Sequence, residues 1–456
     1  MAMTAILLAI WQVGLHEVLL VTAAAIALLG ADDLAVDLIF VFRIVTSPGR
    51  RRTPTPDMMR RTRPLPIAIF VPAWDESPVI AQMLAQLTAT QRYPDYRVFV
   101  GLYPNDPAGR LAVGQVADPR ITPVINPATG PTTKADCLNA LWQAMCAHET
   151  HHGLTYNAVV LHDAEDVVHP QELTVFDAMI PGNAMVQLPV LPLPDPTSLF
   201  VAGHYMDEFA ESHAKELVVR QALGATVPSA GVGCAIDRAM LGRIAAAAGG
   251  RPFHADSLTE DYELGHRVRV LGGRTVLVRT RHDGGLVATA EYFPGELGAA
   301  VRQKARWLTG IALAGWDRIG WHGGAADRWM LLRDRKAPLA ALLTLIAYFL
   351  LLAMILDGAM RLALPAAARM PAVTTGWVLT LLWVNWAMLC WRLMLRALFT
   401  TYAYGPVEGL LAVPRAMVGN IINAGAAWLA LRRYWGMLRG GRLTWDKTRH
   451  RFPEPI

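Results

Sequence analysis

Two hydrophobic patterns divide this chain. Three long apolar stretches, at about Thr4–Ala31, Ala337–Leu356 and Val373–Trp391, are close to or longer than the ~20 residues that cross a bilayer as a helix. Between the first and the second stretch, short apolar runs alternate with segments of helical periodicity from Pro66 onward. This alternation predicts an α/β domain with a mostly parallel sheet and helices on its faces.

Acidic residues follow each strand that the pattern predicts. The predicted strands are Ile67–Val71, Tyr96–Leu102 and Tyr156–Leu161, with a helix over Pro78–Thr90 after the first. The acids that follow them are Asp75, Glu76, Asp106, Asp163 and Glu165. Because such strand ends meet in one crevice of a right-handed α/β sheet, these carboxylates are expected to converge. They suit Mg²⁺ or Mn²⁺ on a diphosphate, and the alternative is a solvated acidic turn.

Composition supports a chain that lies partly in lipid. Of its 456 residues, 53% are hydrophobic and only 17% are charged, against roughly 25% in typical soluble domains. The four cysteines are scattered, which predicts neither a disulfide framework nor a zinc site. Neither a G-x-G-x-x-G segment nor a P-loop is present, which argues against a dinucleotide fold or a P-loop nucleotidase. We expect no nucleic-acid partner.

The distribution of basic residues predicts a membrane orientation. Seven arginines and a single acid lie between Arg43 and Arg63, which places that flank in the cytoplasm and the N-terminus in the periplasm. We therefore expect an anchor, an interfacial helix and a basic linker over residues 1–62, then a cytoplasmic domain over 63–336. Two transmembrane helices are expected over 337–398, and interfacial helices with a basic cytoplasmic tail over 399–456.

Two segments are expected to be amphipathic helices on the inner leaflet. A fourth span within Val407–Leu431 would bury Glu408, Pro414 and Arg415, and we expect interfacial helices there instead. The segment Leu34–Val45 has a similar pattern, with an apolar face opposite its acids.

Three short motifs carry a family resemblance. Asp163-Ala164-Glu165, Thr259-Glu260-Asp261 and Gln303-Lys304-Ala305-Arg306-Trp307 resemble the D-x-D, T-E-D and Q-x-x-R-W motifs of membrane-integrated family 2 glycosyltransferases. That family includes cellulose, hyaluronan and poly-N-acetylglucosamine synthases, and the local sequence is most similar to the bacterial phage-adsorption protein B group. The resemblance implies a GT-A fold, which is a nucleotide-sugar-binding, Rossmann-like mixed sheet. It also implies an inverting, processive transfer, with a UDP-sugar as the expected donor, that builds a β-linked exopolysaccharide at the inner membrane.

The resemblance also implies roles for individual residues. Asp163 and Glu165 would hold Mg²⁺ or Mn²⁺, with Glu165 in place of the usual aspartate. Asp261, next to Glu260, would be the general base, and its alternative is a helix-capping role. The expected donor-binding residues are Asp75, Glu76, Asp106, Lys134, Asp163, Gln303 and Arg306. The expected acceptor-binding residues are Trp307, Gly233 and Cys234.

Several alternatives remain open from the sequence. The basic residues Arg302, Lys304 and Arg306 would also suit an interfacial helix whose side chains reach for the headgroups. The acceptor would be a growing polysaccharide or, alternatively, a polyprenyl-phosphate lipid that takes one sugar. A different class is a non-catalytic anchor of an export complex or a phage entry factor. Expected partners are the nucleotide sugar, the acceptor, membrane lipids, and further copies or export proteins, because three spans are few for a channel.

Overall fold

The computed structural model describes residues 2–46, 54, 59, 64–368, 371–440 and 451–453. Most of the arginine-rich linker and of the basic tail, on which the orientation prediction depends, lies outside the described residues. The strands are β1 Ile67–Pro72, β2 Tyr96–Leu102, β3 Ile121–Ile125, β4 Ala158–Leu161, β5 Met185–Gln187, β6 Val190–Pro192, β7 Cys234–Asp237, β8 Thr275–Leu277, β9 Arg281–His282, β10 Gly285–Leu286 and β11 Thr289–Glu291.

A seven-stranded mixed sheet forms the centre of the α/β domain. Its order is β3-β2-β1-β4-β7-β5-β8, with β6 and β11 in a separate parallel pair. Strands β2, β1 and β4 are parallel, as the sequence predicts, and β3, which it did not predict, is parallel to β2, whereas β7 runs antiparallel to both of its neighbours. The expected mostly parallel sheet is therefore confirmed, because six of its seven strands run in the same direction and β7 alone makes the sheet mixed.

Helices pack on both faces of the sheet, and long helices lie outside the α/β domain. The helices are α1 Ala2–Thr46, α2 Ile80–Thr90, α3 Pro107–Gly114, α4 Lys134–His152, α5 Glu172–Met179, α6 Gly203–Glu211, α7 Leu217–Ala222, α8 Arg238–Ala247, α9 Glu260–Val270, α10 Leu297–Leu308, α11 Gly315–Ile319, α12 Ala325–Ala363, α13 Pro365–Ala368, α14 Trp377–Tyr404 and α15 Pro406–Leu438. Strand β1 shows why the layers form. Ile67 and Ile69 pack with α2 on one face, whereas Ala68 and Phe70 pack with α4 on the other.

By length and composition, four of the described helices could cross a membrane: α1, α12, α14 and α15. The sequence predicted three spans, and α15 is a fourth candidate by length and composition. It is one continuous helix of 33 residues, where we expected shorter amphipathic helices.

The charges that argued against a span in α15 are paired in the structure. Arg415 is ion-paired with Glu408 and, at 3.3 Å, with Asp207 of α6. Further along, Asn423 lies 3.0 Å from the Lys304 ammonium, and Tyr434 donates a 2.7 Å hydrogen bond to Asp317. These contacts tie α15 to the α/β domain along most of its length.

Helix α1 is also longer than the sequence suggested. We expected a span that ends near Ala31 and a separate interfacial helix, but α1 continues unbroken to Thr46. The acids at this point are neutralised by basic side chains. Asp33 is 2.9 Å from Lys336 and from Arg392, and Asp37 is 2.6 Å from Lys215. Because these charges are paired within the protein, they do not need to be hydrated. The helix can therefore continue through them without a break.

A second polar cluster joins α1 and α12 at their far ends. Trp11 donates a 3.2 Å hydrogen bond to Asp357, whose carboxylate also pairs with Arg361 at 2.7 Å and accepts from Gln12. Asp33 lies 21 positions after Gln12 in α1, and Asp357 lies 21 positions after Lys336 in α12. Each interval is about 31 Å of helix, close to the ~30 Å hydrocarbon thickness of a bilayer.

Candidate active site

The acidic turn after β4 is held by a buried histidine. His162 lies between two carboxylates, with Nδ1 2.7 Å from Asp166 and Nε2 2.6 Å from Glu172. Burial alone would lower the pKa of His162, but the two carboxylates outweigh it and raise the pKa to about 10. Asp166 also accepts a 3.1 Å hydrogen bond from the Asp163 backbone. The imidazolium therefore fixes the turn that carries Asp163 and Glu165.

Lys134 reaches this turn from the N-terminus of α4. Its ammonium lies 2.5 Å from Asp163 Oδ1 and 4.0 Å from Glu260 Oε1. Burial lowers the pKa of Lys134, but Asp163, Glu260 and Asp261 outweigh it, so the pKa is raised overall. Lys134 is therefore a charged ammonium among carboxylates.

Glu260 and Asp261 form the first turn of α9. Burial raises the pKa of both carboxyl groups, in the case of Glu260 to about 7. Asp261 Oδ1 accepts a 2.7 Å hydrogen bond from the Tyr262 amide, so the carboxylate also satisfies one free amide of the helix start. Its other oxygen faces Gly231, where a Cβ would lie only 2.4 Å from Asp261 Oδ2. Only glycine leaves room for this carboxylate.

Sequence reasoning missed one acid of the cluster, Glu291. It ends the three-residue strand β11, and the neighbouring Ala290 forms a bridge with Val167 through backbone hydrogen bonds of 2.7 and 3.1 Å. This pairing brings Glu291 beside the acidic turn. Burial, followed by the charges of Asp166 and Glu165, raises its pKa well above the usual range. A strand this short gives no periodic signal, and no motif marks Glu291 in the sequence.

Helix α10 contributes the Gln303–Trp307 motif. Gln303 Oε1 and Arg306 Nε are buried and have no hydrogen-bond partner among the described residues. Lys304, between them, pairs with Glu208 at 2.5 Å and is itself buried, so the alternative that it reaches for lipid headgroups is wrong. Trp307 packs edge-on against Tyr205, with 6.1 Å between the ring centroids.

These side chains line one cavity of about 1520 Å³. Of the residues named from the sequence, the cavity is lined by Glu76, Lys134, Asp163, Glu165, Glu260, Asp261, Gln303, Arg306 and Trp307, and Glu291 joins them. Trp74, which sequence reasoning did not assign, also lies in its wall. Among the described residues, no group of three His, Cys, Asp or Glu side chains is already arranged to hold a metal ion. The Lys134 ammonium lies against the Asp163 carboxylate instead.

Four of the expected site residues do not line the cavity. Asp106 caps α3 by accepting from the Gly109 amide at 2.9 Å, and its second oxygen accepts from the Asp75 amide at 3.0 Å. Asp106 therefore shapes the turn that carries Asp75, and neither side chain lines the cavity. Cys234 is fully buried in β7, and a Cβ added at Gly233 would meet Thr289, so neither residue lines the cavity.

The cavity extends from the acids to the long helices. Its far part is lined mainly by leucine, alanine and methionine side chains of α1, α12 and α14, among them Leu19, Ala347, Leu350, Met354 and Leu389. A polar chamber is thus continuous with an apolar groove between candidate membrane helices.

A family profile described as "Glycosyltransferase like family 2" matches residues 64–310, and the chain belongs to this family of glycosyltransferases. Bacteriophage adsorption protein B of Escherichia coli K12 is 34% identical over 470 residues, which cover 98% of this chain. Bacteriophage N4 adsorption protein B of Escherichia coli O157:H7 matches to the same extent. The chain spans 63% of the length of these relatives.

A solved structure agrees on the fold. The mannosyltransferase PcManGT from Pyrobaculum calidifontis, in complex with GDP-Man and Mn²⁺, superposes with a TM-score of 0.51 at 18% identity. The match covers 88% of this chain and 99% of that one. It supports the GT-A fold that the three motifs implied.

Proposed function

We propose that the chain catalyses an inverting, metal-dependent transfer from a nucleotide sugar, with a UDP-sugar as the expected donor. The observation that carries this proposal is the excess of buried carboxylates in the cavity. Burial and mutual repulsion raise the pKa of Glu260, Asp261 and Glu291, and the cations of the same cavity wall, Lys134 and Arg306, offset that rise only in part. A divalent cation would relieve the repulsion.

The side chains of the acid cluster have the donor atoms that suit a hard cation, although in this structure they are not grouped around a single point. Asp163, Glu165 and Glu291 present the oxygen ligands that Mg²⁺ and Mn²⁺ prefer, and the GT-A neighbour was solved with Mn²⁺ and GDP-Man. When bound, the ion would neutralise charge on the departing nucleoside diphosphate. Arg306 Nε and Gln303 Oε1, both buried without a partner among the described residues, would bind donor oxygens and hydroxyls.

Asp261 is the proposed general base. Its carboxylate faces the cavity, and a raised pKa brings it nearer the range in which a base is effective. It would accept the proton of the acceptor hydroxyl while Trp307 supports the terminal sugar of the acceptor. Asp75 and Asp106 would act on the nucleoside only through the shape of their turn.

We propose a β-linked exopolysaccharide, made processively at the bacterial inner membrane, as the product. The polar clusters about 31 Å apart on α1 and α12 support a transmembrane placement of these helices. Because the α/β domain contacts the Asp33 end of α1, the N-terminus would lie on the opposite side, in the periplasm. Transfer of one sugar to a polyprenyl-phosphate lipid is the second candidate, and the Leu/Ala/Met lining of the groove favours it.

A donor panel tests the proposal. Purified protein is incubated with UDP- and GDP-sugars and Mg²⁺ or Mn²⁺, and nucleoside diphosphate release and product length are measured. Asp261→Asn should abolish turnover but keep donor binding, whereas Asp283→Asn, at an exposed hairpin position, should be fully active. Full activity of Asp261→Asn would refute the assignment of the base. A protein that turns over none of these donors would instead favour the non-catalytic anchor.

A further inference from the structure

Helix α9, whose second residue is the proposed base Asp261, is bound by polar contacts to the segment that leads into and begins the long helix α12. Four polar contacts join them along its length: Tyr262 to Asp334 at 2.7 Å, Glu263 to Arg318 at 2.6 Å, His266 to His322 at 2.8 Å and Arg269 to Asp327 at 3.3 Å. All the partners lie between α10 and the apolar part of α12. The base is thus attached to the root of a candidate membrane helix.

The contact nearest to the reacting group is that of Tyr262. Its hydroxyl donates to Asp334 Oδ2, and the other oxygen of Asp334 is ion-paired with Arg220. Arg220 Nη2 also lies 3.4 Å from the Met330 carbonyl on the same face of α12. Tyr262 directly follows Asp261, and its backbone amide is the group that holds the Asp261 carboxylate. Any movement of the Tyr262 backbone therefore moves the base.

Asp334 lies in a stretch of α12 that is itself held in place. The preceding Arg333 pairs with Asp32 at 2.5 Å, and Lys336 pairs with Asp33 at 2.9 Å. The Arg335 guanidinium lies against a pair of aromatic rings, 4.8 Å from the centroid of Trp316 and 4.3 Å from that of Trp321. The acceptor of the tyrosine hydrogen bond is thus fixed on a rigid frame that includes α1.

We propose that Tyr262 and Asp334 are positioning residues. Their hydrogen bond fixes the position of the Asp261 carboxylate relative to α12. The position of the base then depends on how α12 is seated. This inference rests on the proposed function, because it assumes that Asp261 removes the acceptor proton. A purely structural role of the bond would instead lower stability and leave the turnover of the folded protein unchanged.

The test uses Tyr262→Phe in the full-length, detergent-purified protein. The ring keeps its packing, and only the hydroxyl is lost. Displacement of a reacting group by 1 Å can cost about 100-fold in rate, so we expect a fall in kcat on the order of tenfold for partial release. The KM for the nucleotide sugar should stay within about twofold, since the donor contacts come from other elements. Arg269→Gln is the matched control. It removes another of the four contacts, the one to Asp327 at the last turn of α9, and should leave kcat unchanged.

A double-mutant cycle separates positioning from general loosening. If Tyr262 acts through Asp334, the loss in Tyr262→Phe/Asp334→Asn should not exceed that of the more severe single variant. Normal kcat in Tyr262→Phe, or an equal loss in Arg269→Gln, would overturn the inference. The proposed function fails separately, namely if Asp261→Asn stays active. If Asp261→Asn is inactive while Tyr262→Phe is normal, only the positioning role is refuted.

Discussion

Gly231→Ala should disable the base without disturbing the donor site. Gly231 has φ +81°, and a Cβ there would lie 2.4 Å from Asp261 Oδ2 and 3.2 Å from its Cγ. An ordinary contact begins near 3.4 Å, so the Asp261 carboxylate must move by about 1 Å. A displacement of this size can cost about 100-fold in rate, and this is the fall in kcat that we expect.

The new methyl group also strains the backbone, and the control isolates that effect. A left-handed conformation costs alanine about 1–2 kcal/mol. Gly272 has φ +80°, and a Cβ there would meet nothing within 4 Å, so Gly272→Ala carries the same backbone cost without the clash. The difference between the two variants therefore reports the displaced carboxylate alone.

The assay is release of nucleoside diphosphate at saturating donor, together with donor binding by calorimetry and a thermal melt. Both variants should melt below the wild type, Gly231→Ala at the lower temperature because it also carries the clash. Both should bind the donor like the wild type, and only Gly231→Ala should lose turnover. A kcat of Gly231→Ala within threefold of that of Gly272→Ala would refute the placement of Asp261 as the base.

Two further predictions concern the acid cluster. Glu291→Gln should raise the Mn²⁺ concentration for half-maximal activity by about tenfold or more, and an unchanged Mn²⁺ titration would remove Glu291 from the ion site. Glu260 should make the cation-free protein less stable at higher pH. Because its pKa is raised from 4.5 to about 7, its stabilising contribution is complete below 4.5 and is lost as pH rises through 7, by at most about 3 kcal/mol. Melting curves at pH 5.5 and 8 should therefore differ less in Glu260→Gln than in the wild type, and an equal difference would contradict the raised pKa.

Three adjacent strands of the sheet, β2, β1 and β4, could be predicted because they carry their own signal. β2 coincides with the predicted Tyr96–Leu102, and β1 extends the predicted Ile67–Val71 by one residue. Both are interior strands, buried on two faces, so apart from Arg97 of β2 their sequences are continuous apolar runs. Strands β5, β8 and β11 have three residues each, and no periodicity can show in so short a segment.

The residues of the candidate site that belong to sequence motifs could be predicted. Those that enter the site through contacts between distant segments could not. The acid motifs, Lys134 and the α10 motif do line one cavity. Asp106 lies beside the expected crevice but is used to cap α3, and the sequence does not separate these roles. Glu291 enters the site only because β11 pairs with β6 and Ala290 bridges Val167, which are contacts between segments far apart in the chain.

The course of α1 and α15 depended on ion pairs that the sequence does not reveal. Asp33 and Asp37 looked like the polar face of a surface helix, yet each meets a cation from a distant segment. Arg415 looked like an obstacle to burial and is among the most completely buried side chains, between Asp207 and Glu408. Charge counts along a sequence cannot show which charges will be paired.

The polar clusters at the two ends of α1 and α12 act as a gauge of membrane thickness. For both helices to cross a bilayer, each cluster must meet a headgroup layer, which fixes the depth of the helices to within a few ångströms. Asp37 also pairs with Lys215 of the α/β domain, so that domain cannot rise or sink independently of α1. A bilayer much thicker or thinner than about 31 Å would therefore strain the contact between α1 and the α/β domain, which lies beside the acid cluster. Activity in vesicles should then be highest at the acyl-chain length that matches this thickness.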